Sequence, residues 1–118
     1  MILLILLLVI GCYANFHPTG KYCGSIINMI TITARVKTET IIDLGITVFG
    51  KTFNCLDENV VLLPNNTITF PNSNSRQNCI YKIFDEFGRV SLDFSYNSRN
   101  DIVNVNIGGM GLLRMRHC

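Results

Sequence analysis

Apolar and polar residues alternate along most of this chain, with the two-residue period of a strand that has one face on a core and one in water. From Ile26 onward, Ile30, Ile32, Ala34 and Val36 share a face, with Thr31, Thr33 and Arg35 opposite. Ile42, Leu44, Ile46 and Val48 repeat the pattern, and Lys37-Thr38-Glu39 between the two runs is short enough for a hairpin loop. Gly50-Lys51 turns the chain into a strand over Thr52 to Leu56, with Phe53 and Cys55 on one side. Asp57-Glu58-Asn59 is expected to break that strand. Val60 to Leu63 is a shorter run closed by the turn cluster Pro64-Asn65-Asn66, and Thr67 to Phe70 follows with Ile68 and Phe70 inward.

One segment has a helical period instead. Cys79, Ile80, Ile83, Phe84 and Phe87 form one apolar face, while Lys82, Asp85 and Glu86 lie largely on the other. Ser75 or Asn78 is placed to cap its start and Gly88 to end it. Alternation then returns with Val90, Leu92, Phe94 and Tyr96 inward, turns at Asn97 to Asn100, and continues through Val103, Val105 and Ile107. Gly108-Gly109 reads as another hairpin turn, and Leu112 to His117 as a last strand.

The pattern predicts an all-β fold with one short helix, an antiparallel up-and-down meander of about eight strands. Such a sheet must bury its apolar face and protect its edges, by closing into a barrel or folding into a sandwich. Cysteine placement favours the closed barrel. Four cysteines, Cys23, Cys55, Cys79 and Cys118, follow the N-terminal segment, and two disulfides among four cysteines have three possible pairings. In an up-and-down barrel the first and last strands are antiparallel neighbours, so a Cys23–Cys118 bridge would rivet the seam. Cys55 and Cys79 would then meet at the opposite mouth, with the helix as its cap.

The chain opens with nine apolar residues, Ile2 to Ile10, before Gly11-Cys12-Tyr13-Ala14. This run is too short to span a bilayer core of ~30 Å and reads as the apolar core of a secretory signal peptide. Cleavage after Ala14 divides the chain into a signal, residues 1–14, and a single disulfide-stapled domain, residues 15–118. Val9-Ile10-Gly11-Cys12 also matches a lipobox that would lipidate Cys12, although no Lys or Arg precedes the apolar run. Export into an oxidising compartment explains the even cysteine count. The expected location is therefore extracellular, with no transmembrane span after signal removal.

Charge narrows the partners. The net charge of +2 is spread singly, with no run of Lys or Arg, which argues against nucleic acid as a partner. Catalytic candidates are few, because the two histidines, His17 and His117, lie near the ends of the mature chain. Asp57-Glu58 and Asp85-Glu86 are adjacent carboxylates that point to different faces, so neither makes an acid/base pair. No catalytic residue and no cofactor is expected, and the chain is read as non-enzymatic. Zinc spacing is absent among the cysteines. Cleavage after Ala14 would nonetheless give Asn15-Phe16-His17 a free amine, two amides and an imidazole, a square-planar nitrogen set for Cu(II) or Ni(II). Asn65-Asn66-Thr67 is an N-x-T glycosylation acceptor in an exposed turn.

Thr19-Gly20-Lys21-Tyr22 resembles the G-x-W opening of lipocalins, with Tyr in place of Trp. With a small exported meander and a basic residue, Arg114 or Arg116, on the last strand, the chain resembles calycin-type β-barrels. The resemblance covers the architecture; the reading as a small carrier of an apolar ligand rests on the one-face pattern and on a helix placed to act as a lid. The chain departs from the family in lacking the tryptophan, in its short length and in the position of its helix, so no ligand residue is carried over. The alternation itself nominates Phe53, Phe70, Phe94 and Tyr96 as large inward residues that would line such a site. The alternative is an extracellular protein as partner, with the chain an inhibitor or host-directed effector acting through loops such as Pro71 to Ser75 and Asn97 to Asn100.

Overall fold

The computed structural model describes residues 18–26, 29–86, 91–108 and 111–118. The proposed signal segment, Cys12, Asn15 and His17 lie outside the described residues, as do Phe87, Gly88, Val90, Gly109 and Met110. Among these residues the fold is all-β with one short helix, and its antiparallel strands follow one another as a meander that wraps into a nearly closed barrel.

The strands are β1 (Gly20–Ile26), β2 (Ile30–Val36), β3 (Ile41–Val48), β4 (Lys51–Asn59), β5 (Val61–Leu62), β6 (Thr67–Thr69), β7 (Leu92–Asn97), β8 (Ile102–Ile107) and β9 (Gly111–His117), with helix α1 (Cys79–Glu86) between β6 and β7. Nine strands among the described residues stand where about eight were expected. The extra one is β1, which pairs with β2 from Gly20↔Val36 to Ile26↔Ile30, so the run read as a single first strand is a hairpin. β1 also pairs with β9 through Tyr22↔His117 and Cys23↔Arg116, which closes the seam between the two ends of the described chain.

The order β4-β3-β2-β1-β9-β8-β7-β6-β5 leaves β4 and β5 as the two edges. They are consecutive in the chain, separated by Val60, and the registers make both run toward the same end of the barrel. In effect one bent strand pairs with β3 along its first part and with β6 along its last. The bend follows a bulge between Ile42 and Leu44, opposite which Asp57 takes a φ of 56°. Asp57 donates its N–H to Asp43 Oδ1 at 2.9 Å. The Asp57-Glu58-Asn59 cluster therefore does not break the strand. It shifts the alternation by one residue, and Glu58 and Val60 turn inward where Asp57 faces out.

The lower part of β4 has no strand on its outer edge, and α1 lies there. Asn78, just before the helix, donates to Glu58 Oε2 at 3.0 Å, Cys79 is bonded to Cys55, and Glu86 pairs with Lys51. The helix thus runs down the barrel wall beside β4 rather than capping a mouth, the position its sequence suggested. Its buried residues Ile80 and Ile83 join the core, which also holds Ile32, Leu44, Ile46, Val105, Leu113 and Met115. Asn78 caps it, its Oδ1 accepting the N–H of Ile80 at 2.8 Å.

Two disulfides staple the structure. Cys23–Cys118 crosses the seam and Cys55–Cys79 ties the helix to the middle of β4. In the chain-entropy account their loops contribute about 4.7 and 3.4 kcal/mol respectively. Either value is large against the ~5 to 15 kcal/mol that holds a domain of this size folded.

Candidate functional site

At one end of the barrel stand the start of β1, the β2–β3 turn, the Val60 corner and the β7–β8 turn. Here an apolar recess of about 60 Å³ opens to solvent. Its walls come from inward positions around the whole cylinder: Ala34 and Val36 on β2, Ile42 and Leu44 on β3, Phe94 on β7 and Met115 on β9. Phe70 meets Phe94 edge-on, with ring centroids 5.1 Å apart. The mouth is framed by Pro18, Thr38 and Glu39. Alternating apolar residues thus face one another across a barrel of this strand number, whose interior is almost filled by side chains.

Of the four aromatics nominated from the sequence, Phe70 and Phe94 line this recess. Phe53 and Tyr96 do not. Phe53 sits lower on β4, partly buried against the core, with Lys51 Nζ 5.3 Å from its ring centre. Tyr96 is buried, but its hydroxyl is engaged beside the recess rather than facing into it.

That engagement belongs to a cluster the sequence did not reveal. Asp101, in the β7–β8 turn, accepts hydrogen bonds on Oδ1 from the hydroxyls of Tyr22 and Tyr96, each at 2.6 Å. Its other oxygen lies 2.5 Å from His117 Nε2, and the His117 ring stacks obliquely on Tyr22 at 4.2 Å between centroids. Burial, then the hydrogen bond to Asp101, pushes the Tyr22 phenol well above its ordinary value; the same two causes raise Tyr96 to about 12. For Asp101 burial acts upward, but the two hydroxyls and His117 outweigh it, and the carboxyl lies below its usual range. The cluster links β1, β7, β8 and β9 at the open end. His117, though exposed near the end of the chain, is therefore held in place by Asp101 and Tyr22. The donors of the cluster point at Asp101, and no serine, threonine or cysteine is hydrogen-bonded to His117 among the described residues.

Cys55, Glu58 and Cys79 bring three ligand-type atoms within 4.8 Å of one another. The two sulfurs are bonded to each other, so only the Glu58 carboxylate is available as a donor, and it already accepts from Asn78. Asn65 is exposed in the turn after β5, and its Oδ1 accepts the N–H of Thr67 at 3.1 Å. That places the N-x-T motif at the same end as the recess. Among the described residues no helix is long and apolar enough to cross a membrane.

Comparison of the chain with models of protein families, with curated proteins and with solved structures returns no match.

Proposed function

We propose that this chain is a small exported binding protein that takes the apolar end of a ligand into the open end of its barrel. The observation that carries this reading is the recess itself: apolar walls below a mouth that carries Thr38 and Glu39, concave, and open rather than sealed. Its size sets the kind of ligand. At about 60 Å³ it is well below the roughly 150 Å³ of a dry cavity that takes up benzene, so it admits a slender alkyl tip and leaves the remainder of the ligand outside. The two disulfides fit an extracellular setting, as does the short apolar run at the N-terminus. The resemblance of Gly20-Lys21-Tyr22 to the lipocalin opening supports the same reading.

Met115 is fully buried and lines the recess, which makes its methyl group a reporter. Titration with 1-octanol, followed by the Met115 methyl resonance, should give a saturable shift. Ala34→Phe, which fills the recess from β2, should abolish it. An unmoved resonance in the wild-type protein would rule the recess out as a binding site.

One observation favours a second reading, a protein-interaction module. Phe49 occupies a two-residue turn with Gly50 at the opposite end of the barrel, at a φ of 49°, and is 65 % exposed. Asparagine or glycine suits that conformation better, and an exposed aromatic there is a cost without a return inside the fold. Phe49 would serve as the anchor inserted into an apolar pocket of an extracellular protein. A partner retained by the wild-type protein and released by Phe49→Asn supports this; an identical set retained by both removes it.

A further inference from the structure

The recess also has a charge signature, and from it we infer that the preferred ligand is a cationic amphiphile, an alkyl chain carrying a protonated amine. This rests on the recess being the binding site. Glu39 is the one acidic or basic side chain in its lining. It stands at the tip of the β2–β3 turn, exposed, and makes no hydrogen bond or ion pair among the described residues.

The cation nearest in the chain is engaged elsewhere. Lys37 lies two residues away, but its Nζ is held on the outer wall by Asp57 at 2.7 Å and Asp43 at 3.3 Å. Arg35, the cross-strand partner of Asp43, acts on that carboxylate too, so both cations serve Asp43 and Asp57 on the outer wall and neither is bonded to Glu39. Across the mouth Asp101 is occupied by Tyr22, Tyr96 and His117. Lys21 on β1, Arg35 on β2, Arg99 on the β7–β8 turn and Arg116 on β9 also stand toward this end, and none of them lines the recess. An alkyl tip seated among Leu44, Phe94 and Met115 therefore emerges beside a carboxylate that no described residue pairs, where an ammonium head is attracted and a carboxylate head repelled.

The test compares three probes of equal chain length, n-octylammonium, 1-octanol and octanoate, titrated at neutral pH below their micellar concentrations into the disulfide-intact protein. Octylammonium should bind about fivefold more tightly than octanol, the scale of one exposed ion pair, and octanoate more weakly than either. Glu39→Gln, a change at an exposed turn, should bring octylammonium to the level of octanol and leave octanol unchanged. Raising the salt concentration should narrow the preference in the wild-type protein. Equal binding of all three, or tightest binding of octanoate, overturns the cationic preference while leaving the recess as a site. Failure of all three to bind overturns both.

Discussion

The hydroxyl of Tyr22 on β1 and the carboxylate of Asp101 in the β7–β8 turn meet at 2.6 Å although 79 positions separate them in the chain. Tyr22 is almost fully buried, and the same carboxylate oxygen also satisfies Tyr96. Replacing Asp101 by alanine strands two phenol hydroxyls at once, each a buried donor costing about 1 to 3 kcal/mol when unmet. Asp101→Ala should therefore destabilise the fold by about 2 to 4 kcal/mol in urea unfolding. Asp101→Asn keeps an acceptor and tolerates the φ of 54° at this position, so it should lose about half as much.

The same cluster gives stability a dependence on pH with two opposite signs. Tyr22 and Tyr96 are raised, by burial first and by Asp101 second, so their contribution is complete below the unfolded phenol value of about 10. It is lost as pH rises from there through about 12 for Tyr96 and beyond for Tyr22. Asp101 is lowered, so its contribution is present above the unfolded carboxylate value of about 4 and is lost as pH falls through its folded value. Unfolding midpoints should be flat across neutral pH and fall on both sides. In Tyr22→Phe the alkaline fall should be shallower than in the wild type.

The barrel was legible in the sequence because β2, β3, β7, β8 and β9 bury residues at alternate positions, as β3 does with Ile42, Leu44, Ile46 and Val48. β1 was not, because Tyr22 is its one fully buried residue and a single apolar position carries no period. The Asp57 cluster misled for a related reason. Polar residues with a left-handed backbone break a strand or bulge it, and here hydrogen bonding to Asp43 decides for the bulge. Phe70 and Phe94 were recoverable as lining residues from their inward positions. Asp101 and His117 were not, since a turn residue and a near-terminal one become neighbours only when β9 pairs with both β1 and β8.

The seam makes a sharper demand on one glycine than on the glycine of a turn. A Cβ on Gly24 would stand 2.5 Å from the backbone oxygen of Arg114 and 2.7 Å from the Leu113 side chain. The backbone oxygen cannot rotate away, so β1 and β9 would have to separate. Gly50 has a φ of 82° and open space around it, so alanine there meets backbone strain alone. Gly50→Ala should cost about 1 kcal/mol. Gly24→Ala should cost at least ~2 kcal/mol, as overpacking does, and should raise amide exchange in β1 and β9 above that in β3.

Removal of the Cys55–Cys79 bridge should act on the helix rather than on the strands. The bridge closes a loop of 24 residues that includes the polar 71–78 connection, and without it α1 is held to β4 by Asn78–Glu58, Lys51–Glu86 and the packing of Ile80 and Ile83. The ion pair is exposed and contributes little. The double variant Cys55→Ala with Cys79→Ala should lose about 3 kcal/mol and become sensitive to protease within residues 71–78, while the β1–β9 seam keeps its exchange protection. Combining it with Glu58→Gln tests the remaining tie. Glu58 is the one buried charged residue among those described, and its carboxylate orients the Asn78 cap. If the cap matters only while the bridge is absent, Glu58→Gln will be nearly silent in the oxidised protein and will cost about 1 kcal/mol more in the bridge-free variant, a coupling that a double-mutant cycle reads directly.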